Sequence, residues 1–80
     1  MRAQLERLFV EIFGVKVEEI QDSLSPKDTP EWNSLNMVLL ITAVEKEFGV
    51  ELSFDDLQRF DSFGSIQQVL SEKKKGGNNE

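Results

Sequence analysis

One serine stands where a polar loop becomes an apolar helix, and its type and place allow chemistry. Ser34 follows Thr29-Pro30-Glu31-Trp32-Asn33 and precedes Leu35-Asn36-Met37-Val38. A hydroxyl at such a boundary has two readings. It can cap the helix by accepting an amide N–H, a role open equally to Asn33. Alternatively it can be modified, because the free N–H groups and positive dipole end of a first helical turn favour a phosphate. Leu35 and Leu39, with Val38 at their margin, lie on the side of this helix away from the expected core. They begin one residue after the serine and suit a hydroxyl that a partner protein must reach and grip.

Little else in the chain can react. Its 80 residues include no His and no Cys. That removes imidazole bases, Ser-His triads, thiolates, disulfides and the ordinary zinc sites. No Asp/Glu pair stands out from ordinary surface charge, so an enzyme in its own right is not expected. Fifteen acidic residues against nine basic ones give a net charge of −6. This balance argues against nucleic acid and against an anionic membrane surface, and for basic partners. The longest apolar run, Met37 to Ile41, is far below the ~18 residues of a spanning helix. The acidic, amphipathic N-terminus does not read as a signal sequence, so a cytoplasmic location is expected.

The serine needs a scaffold, and the apolar spacing supplies one. Leu5, Leu8, Phe9 and Ile12 recur at i, i+3, i+4 and i+7, predicting a helix over Arg2–Phe13 stopped by Gly14. From Val15 to Asn33 the pattern loosens into turn formers. Val15, Val17, Ile20, Leu24 and Trp32 give this long loop the means to pack, with Trp32 as its anchor on the bundle. The spacing of Met37, Leu40, Ile41, Val44 and Phe48 predicts a second helix over Ser34–Phe48, ended by Gly49. Ser53 caps a short third helix near Phe54–Arg59, with Asp55 and Asp56 in its first turn. Ser62 precedes a fourth helix carrying Phe63, Ile66, Val69 and Leu70. The expected fold is therefore all-α: a small antiparallel four-helix bundle, three main helices and one short, with a long loop between helices 1 and 2. The domain is expected over residues 1–72. Residues 73–80, which contain no apolar side chain, are expected to form a disordered tail.

The run Trp32-Asn33-Ser34-Leu35-Asn36, followed by Val44-Glu45-Lys46-Glu47-Phe48-Gly49-Val50-Glu51-Leu52, resembles the acyl carrier protein family. That family's motif is Asp-Ser-Leu at the start of the second helix, then a Glu-rich end and a Phe. The resemblance covers nearly the whole chain, from Leu8, Val17 and Ile20 to the closing helix. It implies that Ser34, flanked by Asn33 and Leu35, carries 4′-phosphopantetheine attached from coenzyme A by a phosphopantetheinyl transferase. The reactive thiol would then belong to the prosthetic group, which makes sense of a working protein without Cys or His. The implied function is to hold acyl intermediates as thioesters and present them to acyl-transferring or acyl-modifying enzymes of fatty acid, lipid or polyketide biosynthesis. The implied docking residues are Leu35, Val38, Leu39, Thr42, Glu45 and Lys46.

Two departures from the family pattern matter. Asn33 stands where the family usually has Asp, keeping the capping ability and losing the charge. The exposed side of helix 2 carries Asn36 and Leu39 where the family tends to have acids. Partners are therefore expected to grip by apolar contact, with weak salt dependence. The core stripe of helix 2, with Leu5, Phe9 and Ile66 as neighbours, is compatible with sheltering an acyl chain and equally with a plain packed core. From a different class, the residues also fit a small helical interaction module that is never phosphopantetheinylated, for which Asn33 is the best support. A monomer is the simplest expectation.

Overall fold

The structure, a computed structural model, describes residues 2–78, with side chains through Lys74. Its helices are α1 (Arg2–Phe13), α2 (Ser34–Phe48), α3 (Phe54–Leu57) and α4 (Phe63–Asn78), and a 3₁₀ turn at Val17–Glu19 lies inside the first loop. No strand occurs among the described residues. The fold is the all-α bundle of three main helices and one short one.

Helices α1 and α2 pack antiparallel. Near the start of α1, Gln4 Nε2 (3.3 Å) and Arg7 Nη2 (3.0 Å) reach Glu47 near the end of α2. At the opposite end, Phe9 and Phe13 pack on Trp32, which leads into α2. The α1 stripe buries Leu5, Leu8, Phe9 and Phe13, leaving Ile12 half-buried. From α2 come Leu40, Val44 and Phe48, with Met37 and Ile41 half-buried against them. Each fully buried side chain of this size is worth about 1.5–3 kcal/mol relative to exposure. Both helices stop at a glycine in the left-handed region, Gly14 (φ 71°) and Gly49 (φ 65°), where a side chain would be strained.

The first loop is part of the core. Ile20, Leu24 and Trp32 are buried in it, whereas Val17, expected to pack, is exposed within the 3₁₀ turn. Two backbone bonds fasten the loop to α4: the Phe63 amide donates to Leu24 O and the Gly64 amide to Asp22 O, both at 2.9 Å. These satisfy donors that the first turn of a helix leaves unpaired. Arg2 closes the same corner, donating to Asp22 (2.9 Å) and Gln67 (3.2 Å) with its guanidinium 4.9 Å from the Phe63 ring centroid. The bond to Asp22, with help from Glu6, raises the Arg2 pKa above its ordinary value.

Helix α3 is shorter than its sequence pattern. It begins as expected at the Ser53 cap, with the Asp56 amide donating to Ser53 Oγ (3.2 Å) and the Ser53 amide to Asp56 Oδ2 (2.9 Å). It ends at Leu57, not Arg59, because the Arg59 and Phe60 amides turn back to Asp56 O and Leu57 O. Those i→i+3 bonds tighten the chain and terminate the α-helix. In α4, Ser62 Oγ accepts the Ser65 amide at 3.1 Å, as a cap should. The helix continues through Lys73 and Lys74, where a tail was expected to begin. Lys73 Nζ lies 2.7 Å from Asp56, an anchor that ties this turn to α3. Residues 79–80 of the expected tail lie outside the described residues.

Candidate functional site

The two capping candidates at the start of α2 have different roles. Asn33, in extended conformation (φ −112°), places its Oδ1 where it accepts the Asn36 amide at 2.9 Å, and its backbone carbonyl accepts the Met37 amide at 2.8 Å. Asn36 in turn donates from Nδ2 to Glu31 O at 2.8 Å, cinching the loop to the first turn. Asn33 is thus the N-cap. Ser34 is the first helical residue and is exposed, and its hydroxyl has no hydrogen-bond partner among the described residues. The Ser34 and Leu35 amides are likewise unpaired among them. A free hydroxyl in solvent, beside open N–H groups and the positive end of α2, is a fit for a phosphate ester.

A shallow cleft of about 310 Å³ lies beside Ser34, lined by Pro26, Trp32, Asn33, Ser34, Met37 and Phe60. Trp32 is a loop anchor, as expected. Only 6% exposed, it stacks on Phe13 (centroids 5.3 Å apart, 17° between planes) and meets Phe9 edge-on at 5.2 Å. Its indole N–H donates to the Met37 sulfur at 3.2 Å. Pro26 and Phe60 were not singled out by sequence reasoning. Neither sits in a motif, and Phe60 reaches the cleft only because the chain turns sharply after α3. A second hollow, about 450 Å³ between Gly14 and Glu31, lies within the loop and does not include Ser34.

The expected docking residues divide. Leu35 (73% exposed), Val38 (59%) and Leu39 (52%) stand free on one side of α2, and Lys46 is also exposed. Thr42 is exposed, with its hydroxyl donating back to Val38 O at 3.0 Å. Glu45 differs: half-buried, it accepts the Leu52 amide at 3.0 Å and so holds the α2–α3 connection. Phe54 (75% exposed) is a large apolar side chain at the start of α3 that the sequence pattern gave no reason to choose.

The family described as "Phosphopantetheine attachment site" matches residues 3–70. Over 75 residues the chain is 35% identical to the "Acyl carrier protein" of Solidesulfovibrio magneticus, covering 91% of this chain and 92% of that relative. The chain belongs to the acyl carrier protein family. A second relative, the "Acyl carrier protein" of Buchnera aphidicola subsp. Schizaphis graminum, is 29% identical over 72 residues, covering 90% of this chain and 91% of the relative. Members of this family carry a 4′-phosphopantetheine prosthetic group and are carriers, not catalysts. The alternative of an unmodified interaction module is not favoured.

Proposed function

We propose that Ser34 Oγ is the attachment point of 4′-phosphopantetheine, and that the chain uses it to carry acyl intermediates of fatty acid, lipid or polyketide biosynthesis between enzymes. What supports this reading is the division of roles at the start of α2: Asn33 caps the helix and leaves the neighbouring hydroxyl exposed and unpartnered. The bound group supplies the thiol on which acyl groups are held as thioesters.

The chain's own residues position and present. The open amides of Ser34 and Leu35 and the α2 dipole favour the negative charge of a phosphodiester. Among the described residues no base lies within hydrogen-bond reach of the Ser34 hydroxyl. Its proton therefore leaves to a base of the phosphopantetheinyl transferase as the serine oxygen bonds phosphorus and the nucleotide portion of coenzyme A departs. Leu35, Val38 and Leu39, with Lys46 beyond them, form the surface that this transferase and the acyl-handling enzymes grip. A cytoplasmic monomer suits the role; no helix among the described residues is long and apolar enough to cross a membrane.

The test is direct. Wild type and Ser34→Ala are incubated with coenzyme A and a broad-specificity phosphopantetheinyl transferase, and intact mass is recorded. One phosphopantetheine adduct on wild type and none on the variant is the expected result. A wild type left unmodified by several transferases sinks the proposal. Asn33→Asp, which keeps the cap and adds a carboxylate, is expected to load faster.

A further inference from the structure

Asn36 stands where the family pattern tends to have an acid, yet it makes a bond that an ionised acid could not. Its side-chain Nδ2 donates to Glu31 O at 2.8 Å, while its backbone amide donates to Asn33 Oδ1 at 2.9 Å. A carboxylate has no proton to give and would face the Glu31 carbonyl oxygen with charge. We infer that Asn36 is a positioning residue for the loading of Ser34, holding the serine turn in the pose that a phosphopantetheinyl transferase meets. The inference rests on the attachment at Ser34 proposed above.

Three observations carry it. The first is where the two bonds close. They join residue 36 to residues 31 and 33, so Trp32, Asn33, Ser34 and Leu35 lie within a ring closed by one asparagine. The second is what the ring is fastened to. On the loop side, Trp32 is buried and stacked on Phe13, and its amide donates to Thr29 O at 2.9 Å. On the helix side, the Met37 amide donates to Asn33 O at 2.8 Å. The third is what the serine lacks. Neither its hydroxyl nor its amide has a partner among the described residues, so only the helix carbonyl ladder and the Asn36 clasp hold it in place. A misplacement of about 1 Å can cost on the order of a hundredfold in rate. Asn36 is half-buried, whereas Leu35 and Leu39 stand exposed for a partner to grip. Loss of the clasp should therefore reach the transfer step and spare the docking.

Single-turnover loading separates the two. Wild type, Asn36→Asp and Asn36→Ala are mixed with coenzyme A and an increasing excess of a broad-specificity phosphopantetheinyl transferase, and the adduct is followed by intact mass. Asp keeps the shape and loses the donor; Ala loses the donor and adds no charge. Both variants keep the Asn33 cap, and circular dichroism establishes that they are folded. In both, the saturating rate is expected to fall roughly tenfold. The transferase concentration at half-saturation is expected to stay within about twofold of wild type. Asn33→Asp is expected to load faster, so the two acids of the family pattern act in opposite directions in this chain. In ¹⁵N relaxation of the unloaded variants, the amides of residues 31–35 are expected to gain mobility and those of α4 are not. A saturating rate unchanged in either variant, or a change confined to half-saturation, overturns the positioning role and leaves the attachment standing. Faster loading of Asn36→Asp overturns it as well, marking residue 36 as a charge contact of the transferase. A wild type that takes no adduct removes both the attachment and the positioning role.

Discussion

Asn33 Oδ1 accepts the Asn36 amide at 2.9 Å, and by doing so leaves the adjacent Ser34 hydroxyl without a structural duty. The two residues are neighbours in sequence and opposite in role: one is consumed by the helix, the other is presented to solvent.

Stability should therefore respond to Asn33 and not to Ser34. Asn33→Ala is expected to cost about 1 kcal/mol, the usual loss of an N-cap side chain. Ser34→Ala, at an exposed first-turn position, is expected to stay within about 0.5 kcal/mol of wild type. Urea unfolding followed by circular dichroism measures both. A Ser34→Ala loss as large as that of Asn33→Ala contradicts the assigned cap.

Gly64 sets two effects against each other. Alanine is a better helix former by about 1 kcal/mol. A Cβ at Gly64, however, would lie 3.0 Å from Asp22 Cβ and 3.1 Å from Asp22 O, the carbonyl that accepts the Gly64 amide. Asp22 Cβ is fixed to the backbone and the carbonyl is held by the Gly64 amide, so neither can swing aside as a side-chain tip would, and overpacking of this kind costs about 1–3 kcal/mol. The clash should win, so Gly64→Ala is expected to lower the unfolding midpoint. A raised midpoint would show that the loop can move away from α4 freely.

Acid should loosen α3 from α4. The Lys73 ammonium, followed by the Ser53 amide, holds the Asp56 carboxyl below its ordinary range, and Arg59 does the same for Glu72. A depressed folded pKa contributes stability that is complete above the unfolded values, about 3.9 for Asp and 4.3 for Glu. That stability is lost as pH falls through the lower folded values. The two pairs are unequal. Arg59 and Glu72, although joined at 2.8 and 3.1 Å, are about half exposed, so solvent and salt screen them. Asp56 is more enclosed and also caps α3. Asp56→Asn is therefore expected to flatten the stability profile below pH 4 more than Glu72→Gln does. Unfolding midpoints between pH 2.5 and 7 decide it, and equal effects of the two variants count against the ranking.

Docking and stability should separate along α2. Leu39→Asp, at an exposed position, is expected to weaken binding to a phosphopantetheinyl transferase by tenfold or more while leaving stability within about 0.5 kcal/mol. Glu45→Ala should do the reverse, costing about 1 kcal/mol through the orphaned Leu52 amide and changing affinity little. Titration calorimetry paired with thermal unfolding reads both quantities. Binding that collapses with added salt would contradict an apolar grip.

Much of the fold was legible because its signals are local. Apolar spacing over Arg2–Phe13 and Ser34–Phe48, each followed by a glycine, gives α1 and α2 their limits, since a 3.6-residue period and a left-handed stop are properties of neighbouring residues. The Ser53 and Ser62 caps are local for the same reason. Where the reading fell short, the outcome depended on how turns and connections closed, which apolar spacing does not encode. Val17 is exposed although apolar, and α3 closes early at Leu57. Glu45, which looked like a surface acid on a docking helix, is committed to the Leu52 amide seven residues on.

The sequence by itself determined that a serine stands at a helix start, in a chain without imidazole or thiol, with leucines following it on the side away from the core. The tertiary structure decided which of two adjacent polar side chains caps that helix, and that a cleft of Trp32, Met37, Phe60 and Pro26 opens beside the other. The reason is physical. Periodicity and capping preference act over a few residues, whereas a cleft is the space left between segments brought together by the burial of a whole core.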